Sequence, residues 1–491
     1  MAAKNYLAFD LGAESGRAVL ATLQDGKVTL AEKHRFANPT GRMNGHLHWN
    51  LLSQWEELKT GLRKAAGAKL DGIGVDTWGV DYALIGKDGA VLGEPFHYRD
   101  RRTDGMLERA FAKVSREKIF EATGLQFMQI NTLYQLMASE PGLLGLARKM
   151  LFMPDAFGYL FTGVARSEFS IVSTSQMYDP RKKRWATELL TELGVPTHLL
   201  AEIVPSGTVL GALQKEVAEE CGVRGEVPVI APACHDTGSA VAAVPAEGED
   251  WCYISSGTWS LMGVELKEPV INDKSLRYNY TNEGGVGGTI RFLRNIMGLW
   301  LVQECRRYWT KEGYEHSYQE LTEMAGRAKG HLAMLDLTYA PFGLPGEMPR
   351  KIEEFCRKTG QPVPQTRGEF VRACLDGLAL SYRQTLMGLE DVLGRRIGTI
   401  HILGGGSQNQ LLNQMTADAC NRPVVAGPIE ATAIGNVLVQ AIATGDIKSL
   451  AEARAIVRQS FDVKRYEPRD SATWDGAFAR YQLVARASRP C

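Results

Sequence analysis

Three glycine-bearing stretches, each behind an apolar run, carry residues suited to holding an anion. The first is Asp10-Leu-Gly-Ala13-Glu14-Ser15-Gly16-Arg17. A tight turn there exposes backbone N–H groups, Ser15 adds a hydroxyl donor, and the Arg17 guanidinium can neutralise phosphate oxygens. Asp10, at the end of its run, can hold Mg²⁺ directly or through water, because that ion favours carboxylate and water oxygens. The alternative is a hairpin in which glycine serves geometry alone. The second stretch, Ser255-Ser256-Gly-Thr258-Trp-Ser260, sets four hydroxyls around a glycine. Such turns are also common with no ligand at all. The third, Gly404-Gly405-Gly406-Ser-Gln-Asn409, lets a flat ring approach the backbone, and a helix N-terminus behind it favours anionic groups. It matches neither a Walker A loop nor Gly-x-Gly-x-x-Gly, which disfavours those two nucleotide-binding folds.

A different chemistry is offered by His235-Asp236-Thr237-Gly-Ser-Ala240, which follows the apolar run 227–231. A carboxylate where a strand meets a helix commonly caps the helix. Beside phosphate-binding turns it gains a second reading, because phosphoryl transfer to a hydroxyl needs a carboxylate to accept the proton as the oxygen attacks. His235 would then orient a sugar hydroxyl, or simply pack. Asp76-Thr-Trp78-Gly79-Val-Asp81 and Tyr98-Arg99-Asp-Arg-Arg-Thr103 set an aromatic ring beside carboxylates and guanidinium groups. Carbohydrate recognition uses that equipment. So does a salt-bridge network around a structural tryptophan.

The elements that must position these residues follow from periodicity. Residues 6–11, 16–23 and 27–36 read as a β meander with turns at Gly-Ala-Glu-Ser and Asp25-Gly26. Asn50 and Ser53 offer caps for a helix carrying Trp55, Leu58, Leu62 and Ala65 at helical spacing. A strand over 72–76 and a hairpin through Lys87-Asp88-Gly89 come next. The polar stretch 245–250 marks a domain boundary. After it, strands over 251–256 and 259–266 repeat the opening pattern of strand, glycine turn, strand. A long helix near 368–393, a strand over 399–403, the glycine triplet and a further helix complete the second half. The repeat predicts two similar domains facing each other across a cleft.

Composition narrows the rest. The 491 residues carry 56 Lys plus Arg against 56 Asp plus Glu, so no net field draws in nucleic acid or an anionic membrane. Apolar residues at 44% and charged residues at 23% indicate a globular chain. The eight cysteines form no C-x-x-C pair and no zinc spacing. Cys356 and Cys374 are near enough in sequence to pair. His46 and His48 have no evident third ligand beside them. There is no signal-peptide pattern at the start and no apolar run near the ~20 residues of a membrane span, so a soluble, cytoplasmic protein is expected.

Taken together, in this order and at these intervals, the segments resemble the FGGY family of carbohydrate kinases over roughly 6–461. Asn131-Thr-Leu-Tyr-Gln135, Ser256-Gly-Thr-Trp-Ser-Leu-Met-Gly263, Thr281-Asn-Glu-Gly-Gly285 and Asn295-Ile-Met-Gly-Leu-Trp-Leu-Val-Gln303 add to the motifs above. The resemblance implies an α/β fold of two actin-like, ribonuclease-H-like domains flanking a central cleft. Residues 1–246 would carry the sugar site, the base and the first phosphate loop. Residues 247–491 would carry the second phosphate loop and the adenine-side glycine turn. It implies ATP-dependent phosphorylation of a ketose at its 1-hydroxyl, with Mg²⁺, no nucleic-acid or membrane partner, and a monomer or homodimer. Asp236 would be the catalytic base and Asp10 would lie at the Mg²⁺. Ala13, Glu14, Ser15, Gly16 and Arg17 would cradle the phosphates, joined by Thr258, with Gln303 and Gly405 on ATP and Asn409 as their neighbour. Gly79, His235, Thr237 and Asn295 would contact the sugar. Glu14 departs from the family pattern, and its charge would repel phosphate unless it points away or helps to hold the metal. Two rival classes share parts of this reading: an actin-like ATPase that needs no sugar, and a sugar-responsive regulator without catalysis.

Overall fold

In the computed structural model, which describes residues 3–488, the opening runs form the expected meander. Strand β1 (Lys4–Leu11) pairs antiparallel with β2 (Ser15–Gln24), and β2 with β3 (Lys27–Ala37). Alternating apolar and polar residues in β3 match a strand with one solvated side, while β1 is buried along most of its length. The strand over 72–76 is β4 (Gly72–Thr77), and it lies parallel to β1, so that Asp76 sits opposite Asp10. Strands β5 (Thr208–Ala212) and β6 (Pro228–Ala231) extend the sheet in the order β5-β6-β4-β1-β2-β3.

The protein is mixed α/β with two sheet-containing halves, and it divides into two compact units that do not follow chain order. The first comprises Met1–Pro245, Glu265–Leu293 and Ala431–Phe461; the second comprises Ala246–Val264, Arg294–Glu430 and Asp462–Cys491. In the first unit, the helix Leu51–Ala65 is capped by the Asn50 side chain, which accepts from the Ser53 N–H. Its Leu58 and Leu62 are fully buried in one core with Leu7, Phe9, Ile73 and Phe161. Each such side chain contributes about 1.5–3 kcal/mol by leaving water. The helices Asp236–Ala242 and Ala431–Ala443 pack together. Their approach requires Gly435, where a Cβ would lie 1.7 Å from the Ser239 carbonyl oxygen. The turn at Lys87-Asp88-Gly89 forms, with Leu92 N donating to Leu84 O at 2.8 Å. The segment after the turn pairs antiparallel with this strand at Ile85 and Val91, and the strand Ala147–Phe152, some sixty residues on, pairs with Tyr82–Gly86 over a longer stretch.

In the second unit, β7 (Trp251–Ser256) and β8 (Trp259–Leu266) pair antiparallel around Gly257. β7 also lies parallel to β9 (Thr399–Leu403), followed by β10 (Val424–Ala426) and β11 (Lys464–Tyr466). The long helix Arg367–Leu393 starts in a reciprocal cap between Thr366 and Glu369. Cys356 and Cys374 are both free, buried thiols. Burial, with Cys374 nearby, pushes the Cys356 thiol up to about 12, so in this state it is an apolar filler and not a nucleophile. Cys491 lies outside the described residues. Among the described residues no helix is long and apolar enough to cross a membrane.

Candidate active site

The parallel pairing of β1 and β4 brings two carboxylates side by side, and the helix start at residue 236 adds a third. Asp10 receives a hydrogen bond from Arg17 Nη2 to Oδ2 at 2.5 Å, across the β1–β2 pair. Asp76 is fully buried, and Asn436 Nδ2 donates to its Oδ2 at 2.6 Å. Its Oδ1 has no hydrogen-bond partner among the described residues. Burial first, and then the Asp10 charge, raise the Asp76 carboxyl well above the ordinary range against the pull of Asn436. Asp236 is raised by burial, lowered by His235 and raised again by Asp10. Three carboxyl groups that act on one another's charge, two of them with raised proton affinity, make this cluster a candidate functional site.

The Asp236 turn is held from several sides. His235 occupies the cap position, and Asp236 is the first helical residue. The Asp236 Oδ1 accepts from the Thr237 N–H at 2.5 Å and the Thr237 hydroxyl at 3.1 Å. Among the described residues no hydrogen bond reaches Oδ2. The carboxylate is therefore committed on one oxygen and available on the other. Glu168 fixes the chain just before it. Its buried carboxylate accepts from Cys234 N at 3.0 Å and from the Ser170 hydroxyl at 2.6 Å, and the Ser170 oxygen accepts from His235 N at 3.1 Å. The imidazole of His235 lies between Asp236 and a buried pair, Glu283 and Arg291. Glu283 belongs to a motif singled out in the sequence. Glu168, Arg291 and Asn436 carried no local signal, since each reaches the site only through tertiary packing.

The first glycine-bearing turn spans residues 12–14. Gly12 N donates to Ser15 O, and the Asn38 amide closes the loop from the side through Gly12 O. Ala13 and Ser15 are half-buried, Gly16 is buried, and Glu14 is exposed. Arg17 engages Asp10 from the next strand.

On the proposed sugar side, Gly79 lies against Thr174. The next residue, Val80, has a φ of 68°, which is costly for a β-branched side chain. Asp81 N donates to Gly79 O at 2.9 Å across it. Thr174 and Thr132 clamp Val80 through its N–H and its carbonyl. Trp78 is not a platform for a sugar. It is 6% exposed, its ring packs 4.1 Å from Trp49, and its N–H bonds Asp81 Oδ2 at 3.0 Å. The same carboxylate accepts from Trp49 Nε1, Tyr98 N and Gln135 Nε2. Asp81 is fully buried, which pushes its carboxyl up to about 6 despite those donors. Because the folded value is the higher one, this group costs stability increasingly as pH rises from the ordinary carboxylate range through about 6. Asp81→Asn should lose that slope and also place an amide among four donors, lowering stability by about 1–3 kcal/mol. Urea unfolding of both proteins across that pH range measures it, and an unchanged midpoint at neutral pH would refute the role.

The second unit supplies the remaining candidates. Thr258 sits in the β7–β8 turn, where Gly298 N donates to its carbonyl. Gln303, on the helix Trp300–Lys311, has a buried Oε1 with no hydrogen-bond partner among the described residues. The last two glycines of the triplet open a short 3₁₀ turn, Gly405–Gln408, and the α-helix begins only at Gln410. Gly406 is pressed against Ser256, where a Cβ would meet Oγ at 2.0 Å, whereas a Cβ on Gly405 would meet nothing. Gly405 is thus the open face of the triplet. The Asn409 side chain caps the following helix through Leu412 N. Asn295, half-buried on the strand Ile290–Met297, belongs to this unit, whereas Gly79, His235 and Thr237 belong to the first.

The chain belongs to the FGGY family of carbohydrate kinases: residues 5–243 match its N-terminal domain and residues 252–444 its C-terminal domain. It is an enzyme of the sugar kinase class. Within that family, it is 43% identical to a rhamnulokinase of Bacteroides thetaiotaomicron over 98% of this chain and 100% of the relative. It is 41% identical to a rhamnulokinase of Enterococcus faecalis over 99% and 98%. Among solved structures, the ligand-bound xylulose kinase of Lactobacillus acidophilus superposes with a TM-score of 0.80 at 16% identity, covering 99% of this chain and 98% of that one. Glycerol kinase of Plasmodium falciparum with ADP gives 0.80 at 12% identity, covering 99% of each chain. These likenesses establish the two-domain actin-like fold.

Proposed function

We propose that the protein transfers the γ-phosphoryl group of ATP to the 1-hydroxyl of L-rhamnulose, giving L-rhamnulose 1-phosphate and ADP in the breakdown of L-rhamnose. The observation that carries the chemistry is Asp236, a carboxylate raised by burial with one oxygen committed and the other available. The identity of the sugar rests on rhamnulokinases that match along nearly the whole chain.

In this reading Asp236 accepts the hydroxyl proton as the sugar oxygen forms its bond to the γ-phosphorus, and the bond from that phosphorus to the β–γ bridging oxygen breaks. Gly79, His235, Thr237 and Asn295 position the ketose. Ala13, Glu14, Ser15, Gly16 and Arg17 receive the phosphates with Thr258, while Gln303 and Gly405 take the rest of the nucleotide. Residues 1–246 would thus carry the base, the first phosphate loop and all of the sugar set but Asn295, and 247–491 the second phosphate loop and the adenine-side glycine turn. The donor set fits a divalent cation held mainly by ATP. Asp10 offers hard carboxylate oxygens, and among the described residues no group of three acidic, His or Cys side chains could cage an ion alone. Mg²⁺ bound with ATP supplies countercharge for the transferring phosphoryl group, and Asp10 would hold it. The enzyme would work on these two substrates in the cytoplasm as a monomer or homodimer, and its balanced charge offers no general field for a nucleic-acid or membrane partner.

A coupled ADP-release assay across L-rhamnulose, L-fuculose, D-xylulose and L-ribulose tests the proposal. L-Rhamnulose should lead each competitor in kcat/KM by about tenfold or more, the discrimination that one or two pocket contacts supply. A lead by another ketose makes this a different sugar kinase. ADP release that ignores added sugar makes it an actin-like ATPase.

A further inference from the structure

Behind His235 stands a side chain whose chemistry dictates which ring nitrogen carries the proton. Arg291, on the strand Ile290–Met297, has no exposed surface. Its Nε donates to the Gly284 carbonyl at 2.7 Å, and its Nη2 lies 3.0 Å from His235 Nδ1 and 3.3 Å from Glu283 Oε2. Its Nη1 is buried with no hydrogen-bond partner among the described residues. A guanidinium only donates, so its bond to Nδ1 requires a lone pair there and leaves the ring proton on Nε2. Nε2 lies 3.4 Å from Asp236 Oδ1. Glu283 pulls the other way. Its Oε2 is 3.2 Å from Nδ1 and, acting alone, would draw a second proton onto the ring. Burying a charged pair of this kind is costly, and here it sits directly behind the proposed base.

We propose that Arg291 is a positioning residue that holds His235 as the neutral Nε2–H tautomer, with that N–H turned toward Asp236. An imidazolium in the same place would set a full positive charge beside the carboxylate, favour its ionised form and weaken it as a base. The groups that bear on this balance come from every element packed around the ring. They are Asp236 on its own helix, Glu283 and Arg291 on the hairpin 281–297, Glu168 at the preceding residue, and Asp10 and Asp76 across the sheet. Among the described residues no other donor reaches Nδ1. The inference rests on Asp236 being the base.

The test is ¹⁵N NMR of imidazole-labelled protein, with His235→Gln to assign the signal. In the wild type, the neutral His235 ring should carry its proton on Nε2. In Arg291→Met, the Nδ1–H form facing Glu283 should replace it, and kcat should fall about tenfold. KM for ATP should change by less than about twofold, since the nucleotide contacts are untouched. The double variant Arg291→Met/Glu283→Gln should restore the Nε2–H form, because a glutamine amide can donate to Nδ1, a rescue that a purely structural role does not provide. A wild-type ring carrying its proton on Nδ1 overturns the inference, as does a tautomer signature in Arg291→Met that superimposes on the wild type. Should that variant fail to fold, the wild-type tautomer decides alone. Wild-type ADP release with L-rhamnulose separates the two readings. Without it the proposed function fails whatever the tautomer, and with it a wrong tautomer sinks only this inference.

Discussion

Asp236→Asn should lower kcat for ketose phosphorylation by about 10²–10⁴-fold, the range a positioned general base contributes. Asparagine keeps the shape of the side chain and an Oδ1 acceptor for the two Thr237 donors, so the turn survives. What disappears is the basic oxygen that takes the hydroxyl proton. ATP affinity, read by titration with a non-hydrolysable analogue, should hardly move. The wild-type pH profile supplies a second reading of the same group. Burial raises its carboxyl and Asp10 adds to it, while only a protonated His235 would oppose them. The active form is the ionised one, so the rate should be full above the raised value and lost as pH falls through it, at a pH above the ordinary carboxylate range. In Asp236→Asn that acidic limb should vanish from the residual rate. A variant that turns over at near wild-type rate removes Asp236 as the base.

Many of the candidate segments could be read from the chain, because each of them is local. The β1–β2 turn, the β7–β8 turn and the glycine triplet are short segments whose geometry is set by glycine and by the strands on either side. Periodicity places those strands to within a residue or two. Trp78 was ambiguous for a physical reason: an indole needs one partner for its N–H, and a carboxylate three residues on satisfies it as well inside a core as at a sugar site. The support behind the Asp236 turn was beyond reach. Glu168 and Arg291 lie 68 and 55 residues in sequence from Asp236, and only the fold sets them beside His235. The return of Ala431–Phe461 to the first unit, bringing Asn436 to Asp76, leaves no mark on the sequence either.

Asp10→Asn should be the second severe loss, for a reason independent of the base. In the parallel register of β1 and β4, Asp10 and Asp76 are neighbours, and Asp10 raises the proton affinity of both Asp76 and Asp236. The Arg17 ion pair, with side chains 18% and 9% exposed, offsets part of that repulsion. A largely buried pair of this kind loses in desolvation much of what its attraction returns, so it does not explain three carboxyl groups drawn together at the end of a sheet. A cation brought in with ATP would resolve the conflict, since its charge would turn a repulsive cluster into a matched one. If Asp10 holds that cation, the amide should cut kcat by about 10²–10³-fold, the scale for losing one preorganised electrostatic contact in a transition state. The Mg²⁺ concentration for half-maximal rate should rise by about 10–100-fold, while KM for the ketose stays near its wild-type value. Initial rates against free Mg²⁺ at saturating ATP measure both quantities. A variant with lowered kcat but an unchanged Mg²⁺ requirement would assign Asp10 to the electrostatics of Asp76 and Asp236 alone, and the cation would then have to be held by ATP and water without it.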